Sequence, residues 1–352
     1  ELNALVHGAQ PTSLSEAVPL TTLDACLEKF GWRDIEFMKI DAEGEEANIL
    51  LGGHRFFAEL SPLIEYEIKA GTDLHLELVQ KFAALGYTSF RLVPGLDLLV
   101  PFDPESPPDG FLLNLFCCKP DRAEKLAAQG FLLDSTSRPS TTGSTLSEGI
   151  RERIKGNAKY NWRHNIAKTP YGVQLVNVWE QTVTAGNSAE LLDALSFYAI
   201  SQDSDLSSGQ RFHALETSFN LLNTLCERDA SYLRLASLAR VAQEYGARSL
   251  AVNALGHLCN TLFEQQKADP REPFLAPGKR FDSVPPRAAI GDWVLAAALE
   301  ELERIGSFSS FYTGPSARQR LEIIRDIGFG SAEMNRRLQL LQRRFGPSAA
   351  AT

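Results

Sequence analysis

The sequence has no apolar run approaching the ~20 residues that a membrane-spanning helix needs. Its start, ELNALVHGAQPTS, has neither the basic stretch nor the apolar core of a secretory signal. These absences give a cytoplasmic protein with no membrane partner as the expectation. Cysteine is also scarce. There are five, with Cys117 and Cys118 adjacent and Cys26, Cys226 and Cys259 scattered. That pattern excludes a disulfide framework and paired C-x-x-C zinc ligands, and leaves small buried side chains in a reducing compartment. The six histidines are isolated from one another, so they read as packed or surface residues and no metal is expected. Positive charge is short as well. Residues 1–120 hold 8 Lys and Arg against 19 Asp and Glu, a net −11, while residues 121–352 hold 27 against 25, a net +2. No stretch carries the basic excess of a nucleic-acid footprint, so no nucleic-acid partner is expected. The chain opens on Glu1 rather than Met and its first elements start almost at once, which gives the expectation of a fragment or processed piece of something longer.

What is present is an ordinary globular composition, 44% hydrophobic and 22% charged over 352 residues, enough for roughly two domains. TTLDACLEKFG has capping candidates and a Gly stop, and predicts a helix over Leu23–Phe30. IEFMKI (Ile35–Ile40) reads as a strand, Asp41 opens a helix to about Glu59, and LIEYEIK (Leu63–Lys69) alternates with period two. TDLHLELVQKFAALG (Thr72–Gly86) then has helical spacing, and YTSFRLV (Tyr87–Val93) is extended again. This order predicts parallel crossovers in a layered α/β sheet over residues 1–120. LDLLVPF (Leu96–Phe102) and FLLNLFCC (Phe111–Cys118) have no helix between them and predict a terminal antiparallel hairpin at the sheet edge, with Cys117 and Cys118 on opposite faces. Residues 121–149 read as a linker, centred on the Ser, Thr, Pro and Gly-rich stretch Leu132–Gly149. Residues 150–352 read as an all-helical domain. There, Ser231–Gly246 and Ala247–Gln265 resemble one tetratricopeptide-type helical hairpin. The Pro-rich segment Gln266–Arg287 is expected to be a surface connection.

The chemically suggestive stretch is FMKIDAEGEEANILLGG, Phe37–Gly53. A strand ending at Asp41 and a helix beginning within three residues put this turn at the C-terminal edge of the sheet, where open α/β folds bind ligands. Asp41 and Glu43 precede the helix body and are candidate site residues, with Lys39 able to pair with either. The competing reading makes Asp41 an N-cap, with Glu45 and Glu46 as first-turn carboxylates that complement the helix dipole.

KIDAEGEEANILLGG, preceded by TTLD and followed by SPLIEYEI, resembles the FkbM family of S-adenosylmethionine-dependent methyltransferases. The family pattern is Leu-Asp, then Lys-x-Asp-x-Glu-Gly-x-Glu, a Val/Ile-Leu-x-Gly exit and a strand ending in Glu. It falls on Leu23–Asp24, Lys39, Asp41, Glu43, Gly44, Glu46, Ile49–Leu50, Gly52 and Glu67. The resemblance covers about Val18–Cys118. It implies a partial class I, Rossmann-like methyltransferase sheet whose strands would be the fourth to the seventh, the last antiparallel, with S-adenosylmethionine as cofactor. Such enzymes hold the cofactor with a Gly-rich loop after the first strand and an acidic residue ending the second. Nothing upstream of Val18 supplies either, and no G-x-G-x-x-G occurs elsewhere. The cofactor-binding residues are therefore unassigned, and the expectation is the C-terminal half of a methyltransferase domain.

The chemistry implied is in-line transfer of a methyl group from a sulfonium to a hydroxyl of a sugar or natural-product acceptor. Asp41 would accept the hydroxyl proton or orient the acceptor, Glu43 would hold a second hydroxyl, and Lys39 would pair with one of them. Glu67 would face the same crevice as a substrate-binding residue. The helical domain would position a small-molecule or glycan acceptor, or a partner protein. The alternative reading is a non-catalytic scaffold, a degenerate methyltransferase half joined to a helical-repeat adaptor. Elsewhere, DSDLSSG (Asp203–Gly209) lacks the Gly and Glu of a calcium loop. Lys159–Gly172 is expected to pack on the helices through Trp162 and Tyr171, and Arg336, Arg337, Arg343 and Arg344 to favour the dipole at the end of the last helix.

Overall fold

In the computed structural model, α1 forms over Leu23–Phe30, as its capping pattern predicts. The Thr22 side chain accepts the Ala25 N–H, and Gly31 closes the helix in the left-handed region at φ 60. The structure describes residues 18–42, 44–70, 73–133, 157–185, 189–231, 233–265, 268–287, 289–307 and 314–346. The chain divides into two compact units, 1–93 with 97–138, and 94–96 with 139–352.

The first unit is built on a mixed five-stranded sheet. Its strands are β1 (Phe37–Ile40), β2 (Leu63–Glu67), β5 (Thr88–Val93), β6 (Leu98–Pro101) and β7 (Asn114–Cys118), in the order β1-β2-β7-β5-β6. A separate two-stranded ladder, β3 (Lys69–Ala70) with β4 (Asp73–Leu74), follows β2. β1 and β2 are parallel, while β7 is antiparallel to both of its neighbours. The expected hairpin is therefore corrected: β6 and β7 do not pair with each other, and both pair with β5. Burial explains the difference. Leu115, Cys117 and Cys118 are all fully buried, so β7 needs cover on both faces and takes an interior position that a sheet edge does not offer. The two cysteines do lie on opposite faces, Cys117 among Ile64, Tyr66 and Phe82, and Cys118 among Phe90, Leu99 and Leu132. Burial pushes the Cys118 thiol up to about 12.

Helices cover the first of these faces. α2 (Glu46–Leu51), α3 (His54–Glu59) and α4 (Glu77–Ala84) bury Leu50, Phe56, Phe57, Leu78 and Phe82 with α1's Leu27 against Ile40, Ile64 and Tyr66. The single helix expected from Asp41 to Glu59 is thus two short ones, begun at Glu46 and broken at Gly52–Gly53. The break fits close packing: a Cβ on Gly52 would stand 3.1 Å from Thr22 Cγ2, and one on Gly53 2.8 Å from Phe57 Cε2. On the other face, α5 (Pro120–Ala128) packs Ala123, Leu126 and Ala127 over Phe90 and Cys118. This helix begins the stretch read from sequence as linker; residues 134–149 lie outside the described residues.

The second unit is helical in its described residues. α6 (Pro170–Thr184), α7 (Ala189–Ser201), α8 (Ser208–Arg228), α9 (Arg234–Tyr245), α10 (Arg248–Gln265), α11 (Ile290–Ile305), α12 (Ala317–Asp326) and α13 (Ala332–Phe345) follow in order, and from α7 onward each packs on the next. Gly246, at φ 96, makes the expected turn of the α9–α10 hairpin. Trp162 and Tyr171 are buried, as the sequence suggested. One expectation fails. The Pro-rich segment is not a surface connection: Phe274, Leu275, Ala276 and Phe281 are buried among the helices. A buried irregular backbone needs polar partners, and side chains supply them. Tyr171 Oη donates to the Phe274 carbonyl at 3.1 Å, Arg240 to Ala276 at 3.1 Å and Trp179 Nε1 to Pro270 at 2.7 Å, while Ser237 Oγ accepts the Leu275 N–H at 2.9 Å.

Arg337 is also corrected. Rather than serving a helix end, it is buried and donates to the Glu303 carbonyl and to the Glu333 carboxylate.

Candidate functional site

Parallel pairing aligns the ends of β1 and β2, with Lys39 opposite Glu65 and Ile40 opposite Tyr66. Asp41 follows the last residue of β1 and Glu67 is the last of β2, so the C-terminal edge of this pair carries both carboxylates. Alternation does the rest. Ile40, Ile64 and Tyr66 point into the helix-covered core. Lys39, Glu65 and Glu67 point to the opposite face, where Asn114 of β7 stands across from Glu67.

The Lys39 ammonium donates to Asp41 Oδ2 at 2.8 Å, with both side chains about half exposed. This hydrogen bond holds the Asp41 carboxyl below its usual range, and a side-chain hydrogen bond with Glu67 adds to the effect. The same contact, with the charges of Glu65 and Glu67, holds the Lys39 pKa up. Asn114 Nδ2 donates to Glu65 Oε1 at 2.9 Å. The result is a group of one cation, three carboxylates and one amide at the β1–β2–β7 end of this face. Of the sequence candidates, Lys39, Asp41 and Glu67 come together; Glu43 lies outside the described residues. Glu65 and Asn114 were missed. The period-two alternation of LIEYEIK already put Glu65 on the face of Glu67, whereas Asn114 comes from a strand whose interior position the sequence did not reveal.

Asp41 is not a helix cap. The turn runs on to Glu45, which is the α2 N-cap residue without a side-chain cap bond and instead accepts from Asn48 Nδ2 at 2.6 Å. Nor is Glu46 a surface carboxylate tuning a helix end. It is 4% exposed, and its oxygens accept the Ala42 N–H at 2.9 Å and the Gly44 N–H at 3.0 Å. Gly44 sits at φ 101, where an L side chain is strained. Asp24 has a similar structural task. Its carboxylate accepts the Arg55 and Phe56 N–H groups at 3.1 and 2.9 Å, two donors of the first turn of α3 that have no partner within the helix.

Among the described residues no group of three or more His, Cys, Asp or Glu is arranged to hold a metal ion, and no helix is long and apolar enough to cross a membrane. A cavity of about 340 Å³ lies in the helical unit, lined by Lys159, Tyr160, Ile200, Asp203, Leu206 and Gln210 among others. Its charged groups serve one another: Lys159 lies 2.8 Å from Asp203 and 3.2 Å from Asp205, and Tyr160 Oη donates to Asp203 at 2.7 Å. Within this set Asp203 is buried and takes both Lys159 and Tyr160, whereas Asp205 is exposed and pairs with Lys159.

Open α/β sheets bind ligands outside the C-terminal ends of their strands, which is where Asp41 and Glu67 stand. Residues 8–89 match the model of the Methyltransferase FkbM domain. The match ends within β5, so it bears on the sheet and not on the helical unit. No curated protein and no solved structure matches the chain.

Proposed function

We propose that the sheet unit belongs to an S-adenosylmethionine-dependent O-methyltransferase acting on a hydroxyl of a sugar or natural-product acceptor. The observation that carries the reading is the Lys39–Asp41–Glu67 cluster at the strand edge, inside the stretch matched by the FkbM domain. The strand order supports a class I, Rossmann-like sheet, since the last strand, β7, is antiparallel to both neighbours. When bound, the cofactor supplies an electrophilic methyl group on a cationic sulfonium. The carboxylate-rich edge suits that charge; residues that would seat its adenosine are not identified among those described.

The site's own residues divide the work. Asp41, kept ionised by Lys39, accepts the hydrogen bond of the acceptor hydroxyl, orients it, and takes its proton as the C–S bond of the sulfonium breaks and the O–C bond forms. Asp41 and Glu67 share a hydrogen bond at the strand edge, which makes Glu67 the candidate second contact for the acceptor. Lys39 keeps Asp41 charged in the absence of substrate. The helical unit positions the acceptor or a partner protein. The test is transfer of isotopically labelled methyl from S-adenosylmethionine to a panel of polyhydroxylated acceptors by the full-length protein, with products examined for O-methyl ethers. Labelled ethers are expected. Their absence across the panel, with no cofactor binding by calorimetry, would leave the scaffold reading.

A further inference from the structure

We propose that Glu46 is a positioning residue for Asp41: its buried carboxylate clamps the turn after β1 and thereby sets where the Asp41 carboxylate stands. The inference rests on the reading of Asp41 as the acceptor-facing group. Glu46 uses one oxygen for each of two backbone donors, Ala42 N–H at 2.9 Å and Gly44 N–H at 3.0 Å. The Ala42 N–H belongs to the peptide plane that starts at the Asp41 carbonyl, so holding it fixes ψ of Asp41. Lys39, two residues back on β1, fixes the Asp41 side chain from the strand side. Asp41 is thus held at backbone and side chain by two different groups.

A dipole-tuning carboxylate needs neither burial nor two backbone bonds, and exposed first-turn residues serve that purpose. Glu46 has both. Both carboxyl oxygens of this buried side chain are engaged by N–H donors, and removing them leaves two amides without their partner. Gly44 completes the device, because its φ of 101 belongs to the region that side chains disfavour. The spacing Asp-x-x-Gly-x-Glu follows physically: the last residue reaches back to bond the amides of the first residue's successor and of the glycine.

Two measurements on the full-length protein test this. Amide hydrogen exchange should find Ala42 and Gly44 protected. Carboxyl-carbon NMR should find Asp41 titrating below the usual carboxylate range, against its neighbours Lys39 and Glu67, with Glu65 acting on Lys39. In Glu46→Gln the side-chain oxygen keeps one N–H and the amide group opposes the other. One of the two amides then loses protection, and the Asp41 titration moves up toward the usual range. Glu45→Gln should change neither. A folded Glu46→Gln protein with unaltered Asp41 titration would overturn the proposal. Unprotected Ala42 and Gly44 amides in the wild type would overturn it even where the variant fails to fold. Neither readout requires methyl transfer, so an inactive protein that passes both retains the clamp and loses the proposed function.

Discussion

The buried charges of the helical unit and the exposed charges of the sheet edge serve different ends. In the helical unit, Arg240 is 4% exposed and each arm of its guanidinium has a partner: Glu244 at 2.6 Å, the Ala276 carbonyl at 3.1 Å and Asp282 at 2.8 Å. Glu244 in turn takes Tyr198 Oη at 2.9 Å and Gln202 at 3.2 Å. Arg234 with Glu272, Arg280 with Glu300 and Arg337 with Glu303 repeat the pattern. At the sheet edge, Lys39 and Asp41 are about half exposed and pair at 2.8 Å, and Asp41 also shares a hydrogen bond with Glu67. Buried charge fixes a fold, whereas solvent-accessible charge is available to a ligand. Residue type alone does not separate the two, since both sets are carboxylates with basic partners.

The contrast can be broken first where it is strongest. Arg240→Ala removes the cation that Glu244 and Asp282 share and leaves Glu244 with Lys279 at 3.2 Å, and should destabilise the helical unit by about 3 kcal/mol. Urea unfolding followed by tryptophan fluorescence reads this, because Trp162, Trp179 and Trp293 all lie in that unit; a loss below about 1 kcal/mol would mean that the network is dispensable. In the sheet unit Asp24→Ala should have a smaller effect. It removes the acceptor for two first-turn amides and should cost about 1 kcal/mol. Trp32, packed against Phe30 and Phe56, is the natural reporter, and Asp24→Asn should be milder because one acceptor oxygen remains.

Acid distinguishes the units less strongly. Lys159 and Tyr160 hold the Asp203 carboxyl down to about 2. A carboxyl whose folded pKa is depressed contributes stability above its unfolded value, about 4, and loses it as pH falls through the folded one. Thermal melts between pH 5 and pH 2, approximately spanning that window, should therefore decline less in Asp203→Asn than in the wild type. The smallest effect is at the candidate site. Lys39→Gln removes an exposed pair and should change stability by less than about 1 kcal/mol. It should still raise the Asp41 titration toward the usual range, and no upward movement in the NMR titration would deny Lys39 its assigned part.

Legibility followed the range of the interactions. α1, β2 and the α9–α10 hairpin were readable because capping residues, period-two alternation and glycine stops act within a few positions. The pairing of Lys39 with Asp41 was readable for the same reason, whereas Glu67 was marked by the family pattern. What escaped the sequence depends on distant partners. β7 takes an interior place because its cysteines and Leu115 are buried from both sides, and the Pro-rich segment enters the helical core because Tyr171, Ser237 and Arg240 satisfy its backbone from far along the chain. Glu46 and Asp24 were visible as motif positions, but their tasks emerged only once their backbone donors were in place.

The most direct test of the central claim, that the Asp41 edge is where acceptor chemistry occurs, is the kcat of Asp41→Asn in the full-length protein beside Glu45→Gln. With both variants folded by circular dichroism, Asp41→Asn should lower kcat by about 10²-fold or more while Glu45→Gln stays near the wild type. A folded Asp41→Asn protein with wild-type kcat would contradict the account.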